Sequence, residues 1–175
     1  MRYLKLFENF EDIDQICKKY GITNYIINKD GTVDVDGDVD IRGEADFLYL
    51  PKTLTKLPLK FGKVTGYFDC GHNQLTSLEG SPQYVGGYFD CGHNQLTSLE
   101  GGPNKVNDNF FCSNNKLTSL VDGPKEVGGD FYCSYNQLIS LDVMGVGGYV
   151  FCWNNPINKI YDLFRSYKEF KNSLD

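Results

Sequence analysis

GYFDCGHNQLTSLEG, residues 66–80, recurs without a change at residues 87–101, an offset of 21 residues. Two diverged copies follow, NFFCSNNKLTSL from Asn109 and DFYCSYNQLISL from Asp130, and a shortened one, YVFCWNN, starts at Tyr149. A fixed period near 20 residues makes each copy one turn of a stack, because a unit that short cannot bury its own apolar side chains. Phe68, Phe89, Phe110, Phe131 and Val150 form one column, and Cys70, Cys91, Cys112, Cys133 and Cys152 the next, two residues on. A spacing of two puts both columns on the same face of a short strand. Leu75, Leu96, Leu117 and Leu138 make a third column, and Leu78, Leu99, Leu120 and Leu141 a fourth. Successive strands should then run parallel, about 4.8 Å apart, giving a stack about 25–30 Å long.

An asparagine stands three residues after every repeat cysteine: Asn73, Asn94, Asn115, Asn136 and Asn155. Where the chain leaves the strand, backbone groups lose their ladder partners, and an inward amide can supply both donors and an acceptor. These five are read as a structural ladder. The string F-x-C-x-x-N-x-L-x-x-L resembles the leucine-rich repeat, with Phe and Cys in two strand positions. The later prolines (Pro82, Pro103, Pro124) and the apolar residues three on (Val85, Val106, Val127) resemble the short repeats of bacterial effector proteins. The 21-residue period and the Gly-Gly before the strand depart from that subclass. The whole chain, with its opening MRYLKLFENF, also resembles uncharacterised repeat proteins of large tailed bacteriophages.

The expected architecture is a leucine-rich-repeat-like solenoid in a single structural domain, with a parallel β-sheet on one face, irregular turns on the other and helical caps at both ends. Residues 1–64 would form the N-terminal cap, 65–155 the solenoid and 156–175 a C-terminal capping helix. In the first cap, Asn9 precedes a helix running to about Tyr20, with the stripe Ile13, Ile16, Cys17 and Tyr20, and Gly21 stops it. Residues 25–28 and 32–35 flank Lys29-Asp30-Gly31 as a hairpin, Val39 and Ile41 begin a degenerate first rung, and residues 42–53 are an insertion. At the far end Asn155-Pro156 reads as a helix start, and Ile157, Ile160, Phe164 and Tyr167 as its apolar stripe.

Composition narrows the function. The chain has 175 residues and a formal charge of −6, which argues against a broad nucleic-acid face, since that needs clustered Lys and Arg. No stretch reads as a signal peptide or a membrane span. Five of the six cysteines occupy one inward column and the sixth, Cys17, a helical apolar stripe, so reduced core thiols and a cytoplasmic location are expected. No Cys-x-x-Cys is present, so no zinc framework is expected.

Two acidic patterns invite a metal reading. Asp34, Asp36, Asp38 and Asp40 surround Gly37, but that glycine falls at the fourth position and not the sixth of a calcium loop, so they read as solvent-facing carboxylates. Asp69 and His72 would stack on Asp90 and His93, a donor set that can hold a divalent ion. The pairing follows from the duplication itself, however, and the third copy has Phe111 and Asn114 instead. These four are therefore read as solvated surface residues. No nucleophile with a base and an orienting partner can be assembled, so neither a cofactor nor an enzyme activity is expected.

What remains is a surface. The outward positions read Asp69, Asp90, Phe111, Tyr132, Phe151 along the stack, flanked by Tyr67, Tyr88 and Tyr149 on one side and Trp153 on the other. Exposed aromatics have no core reason to recur there, and such patches mark interfaces. The expected function is a non-enzymatic protein–protein interaction module using this strand face, its partner a host protein if the phage resemblance holds. The alternative is a structural component of a phage particle that self-associates through the patch, and a third reading has the last helix folded over it.

Overall fold

The computed structural model describes residues 12–43, 53–141 and 145–158. Helix α1 (12–19) turns its stripe inward: Cys17 is buried, while Ile13, Ile16 and Tyr20 pack against the core. It ends as the sequence predicts. Gly21 takes a left-handed φ of 66°, and Ile22 donates its N–H to the Cys17 carbonyl at 2.9 Å, closing the last turn. The hairpin follows, β1 (Tyr25–Ile27) antiparallel to β2 (Val33–Val35), with the Asp30 carboxylate accepting from the Thr32 N–H across the turn. Asn9, most of the 42–53 insertion and the stripe beyond Asn158 lie outside the described residues.

From β2 onward the chain winds as a β-solenoid with two parallel sheets. The first joins β2, β4 (Phe61–Val64), β6 (Tyr84–Val85), β8 (Lys105–Val106) and β10 (Glu126–Val127), with β1 on its N-terminal edge. The second, which carries the site, joins β3 (Val39–Asp40), β5 (Phe68–Asp69), β7 (Phe89–Asp90), β9 (Phe110–Phe111), β11 (Phe131–Tyr132) and β12 (Val150–Phe151). Val39 pairs with Phe68, so the predicted degenerate rung is part of this ladder.

The first sheet corrects the expectation of irregular turns opposite the strands. Val64, Val85, Val106 and Val127 pair in register, and Val146 bridges to Val127. The period that aligns the phenylalanines aligns these valines too, and their β-branched side chains suit a buried pleat. Between the two sheets the chain bends too tightly for a side chain at Gly86, where a Cβ would meet the Thr65 carbonyl oxygen.

Inside, Phe68, Phe89, Phe110 and Phe131 are fully buried and stacked, with ring centroids 5.5, 5.3 and 5.0 Å apart. The leucine columns are buried beside them, apart from the half-buried Leu141. All six cysteines are free thiols, and burial holds Cys70, Cys91 and Cys112 well above the ordinary thiol range. Val150 departs from its column: it is 37% exposed, on the terminal strand of the sheet.

The asparagine ladder is formed at every rung. Asn94 accepts from the Leu75 N–H of the preceding turn at 2.9 Å and donates to the carbonyls of Cys70 and Cys91, both at 3.1 Å. Asn73, Asn115, Asn136 and Asn155 repeat the arrangement. Asn155 is therefore not free to cap a helix with its side chain. Instead Asn158 Oδ1 accepts from the Asn155 N–H at 3.0 Å, as residues 156–158 become helical.

Of the four early aspartates, Asp36, Asp38 and Asp40 are exposed, as expected, and Asp34 is half-buried; three of them also bond the next turn. Asp34 and Asp38 accept from the N–H groups of Lys63 and Tyr67 on the next turn, at 2.8 and 3.0 Å, and Asp36 from the Thr65 hydroxyl. These bonds tie the first rung to the second.

Candidate functional site

Pairing within the second sheet places Asp40, Asp69, Asp90, Phe111, Tyr132 and Phe151 in a single register column. Their neighbours Val39, Phe68, Phe89, Phe110 and Phe131 point into the core, so strand alternation turns this column outward. One half is carboxylate and the other aromatic.

In the aromatic half, Phe111, Tyr132 and Phe151 stack at 4.7 Å between successive centroids, with planes within 15° of parallel. Tyr149 and Trp153 lean against Phe151 at 6.4 and 5.4 Å, and are 76% and 63% exposed. Tyr67 stacks on Tyr88 at 4.7 Å, and Tyr88 meets Phe111 edge-on at 6.0 Å. The predicted aromatic residues thus form one connected surface.

The carboxylate half departs from the sequence reading. Asp69 is buried and Asp90 half-buried. Asp69 accepts from the Gly71 N–H at 3.0 Å and Asp90 from the Gly92 N–H at 2.7 Å. Asp69 sits on an interior rung, and Arg42 reaches it: the guanidinium lies 2.6 Å from Asp40 and 3.4 Å from Asp69. Burial pushes the Asp69 carboxyl up to about 6, helped by the Asp90 charge and opposed by the Gly71 N–H and Arg42. Burial also raises Asp90 and, with the Asp69 charge, takes Tyr88 to about 12.

His72 and His93 stack at 4.2 Å on the neighbouring corner, and burial, then the His72 charge, lowers His93. Among the described residues no three or more His, Cys, Asp or Glu side chains converge into a group that could hold a metal ion. His72, His93, Asn114, Tyr135 and Asn154 form a corner column of left-handed backbone, with φ from 53° to 58°.

That corner holds a residue the sequence reading missed. Tyr135 is 57% exposed and stands where the other turns place His or Asn, side chains of which Asn in particular tolerates this conformation. Its N–H donates to the Trp153 carbonyl at 2.8 Å, so its backbone lies beside that of Trp153. Val121 and Ile139, 71% and 66% exposed, stand where earlier turns carry glutamate and threonine. Comparing each column for its odd member would have found all three.

A buried carboxyl raised above its unfolded value costs stability once ionised. Its contribution is most favourable below about 4, declines between about 4 and 6, and stays low above. Asp69→Asn keeps the acceptor for Gly71 and removes the charge, so it should stabilise the fold near neutral pH by on the order of 2 kcal/mol. Urea titrations of both proteins should show the gap closing as pH falls towards 4, and a gap independent of pH would remove Asp69 as its source.

No protein-family model matches the chain, and neither a curated protein nor a solved structure is significantly similar to it.

Proposed function

We propose that the chain is a non-enzymatic protein-binding module that grips a partner protein with the outer face of its second sheet. The observation that carries this reading is the continuous row Phe111–Tyr132–Phe151, bordered by the exposed Tyr149 and Trp153. Clustered Tyr, Trp and Phe on a rigid sheet provide large contact area at low entropic cost, which is the composition of interface hot spots. The three central rings lie face to face along the stack, so their π-faces contact each other and the surface offers ring edges. Edges suit apolar packing against a protein better than they suit a sugar ring or nucleobase, which stacks on exposed faces.

The repeat pattern's likeness to leucine-rich repeats supports the same face, and the likeness to phage repeat proteins favours a host protein in the cytoplasm. Against catalysis by the core cysteines stands the burial of Cys70, Cys91 and Cys112, which holds their thiols well above the ordinary range and denies them the thiolate character of a nucleophile.

Affinity capture from host lysate tests the proposal, using the parent and a Phe111→Ala/Tyr132→Ala/Trp153→Ala variant whose fold is verified by circular dichroism. A protein held by the parent should be lost from the variant by at least about tenfold. Capture undiminished in the variant would move the site elsewhere. An oligomer of the parent that the variant dissolves, with nothing captured, would make the chain a self-assembling structural component.

A further inference from the structure

The polarity of the register column specifies what the partner must look like. We propose that the partner presents a bipolar segment lying along the stack, with Lys or Arg at one end over Asp40 and Asp90 and apolar side chains at the other against Phe111, Tyr132, Phe151 and Trp153. This rests on the partner-binding reading of the face and adds the chemistry of what it binds.

The carboxylates carry the first part. Asp40, Asp69 and Asp90 occupy successive rungs of one column, and like charges directly opposite one another destabilise a sheet. Arg42 pairs with Asp40 and Asp69. Among the described residues no lysine or arginine lies within ion-pair distance of Asp90, whose Oδ1 is held by the Gly92 N–H. Lys63 and Lys105 are strand residues of the other sheet, where they lie over Tyr84 and against Glu126. The early half of the face is therefore an anionic strip with one guanidinium and, beside Asp90, the imidazoles of His72 and His93, and its carboxylates are fixed by backbone donors. A partner cation there gains more than at a fully solvated aspartate, and the strip steers its approach.

The junction carries the second part. Asp90 pairs in register with Phe111, so charge gives way to aromatic surface within a single rung. A segment crossing that boundary must change character at the same point. From the Asp40 rung to the Phe151 rung is about 24 Å at the spacing of parallel strands, the length of a helix of about 16 residues.

Panning a library of random peptides of about 16 residues against the full chain tests this. Selected peptides are then titrated against the parent, Asp40→Asn/Asp90→Asn and Phe111→Ala/Trp153→Ala. The asparagines keep the Gly92 acceptor, so the first variant should fold as the parent does, and thermal unfolding verifies it. Support is enrichment of Lys and Arg at one end and of apolar residues at the other. Binding should weaken about tenfold with either variant, and with rising salt for the parent but not for the asparagine variant. Peptides lost only from the aromatic variant, without basic residues and indifferent to salt, would overturn the bipolar partner and leave the binding face standing. Peptides that bind both variants as they bind the parent, or no enrichment at all, would overturn both.

Discussion

Asn115→Leu should lower the unfolding free energy by about 3–5 kcal/mol, a large part of the total of about 5–15 kcal/mol usual for a domain. The side chain is buried at the middle of the stack. Its Oδ1 accepts from the Leu96 N–H at 3.0 Å, and its Nδ2 donates to Cys91 and Cys112 at 3.0 and 3.1 Å. Leucine has the same branching but is bulkier, so no void is left, and the loss comes from hydrogen bonding with a contribution from overpacking. The Cys91 carbonyl keeps its bond from Asn94. The Leu96 N–H has no such reserve, and an unpaired buried donor is costly. Asn104→Ala is the control: Asn104 is exposed and bonds Gln83 at 2.6 Å across the same two turns, yet its removal should change stability by less than about 0.5 kcal/mol. The urea midpoints of the two variants decide the matter. If Asn115→Leu falls within about 1 kcal/mol of the parent, the ladder does not hold the turns together.

That ladder was legible because a fixed period removes the usual ambiguity of register. Once Cys70, Cys91 and Cys112 share a column, Asn73, Asn94 and Asn115 must share another, and every inward position follows. The first sheet was not legible: strands such as Glu126–Val127 bury a single valine per turn, with no second inward column two residues on to show alternation. Strand alternation placed Asp69 outward correctly but could not report its burial. Asp69 sits on an interior rung, and Arg42, 27 residues earlier in the sequence, comes within 3.4 Å of it only through the stack. The aromatic column was readable from pairing alone. Tyr135 was not, because its exposure follows from a left-handed turn and not from a strand.

Phe110→Ala should be as damaging, and it should also split the unfolding transition. Phe110 is fully buried, with Phe89 and Phe131 stacked on either side at 5.3 and 5.0 Å. Replacing a buried phenylalanine by alanine typically costs about 3–5 kcal/mol, from lost transfer energy and the cavity left behind. In a solenoid that loss falls on the coupling between adjacent turns, because each turn touches only its neighbours. On the C-terminal side of the break the second sheet retains only the rungs of Phe131 and Val150, whereas Val39, Phe68 and Phe89 remain on the other. The shorter side should melt first. Trp153 is the only tryptophan and lies just beyond the terminal strand, so its fluorescence reports on that side while circular dichroism reports on the whole. In the parent the two signals should fall together in urea; in the variant the fluorescence should fall at lower denaturant. Coincident transitions in the variant, displaced as one, would mean that the turns are coupled through the Asn115 ladder and the two sheets strongly enough to survive a void at the centre of the stack.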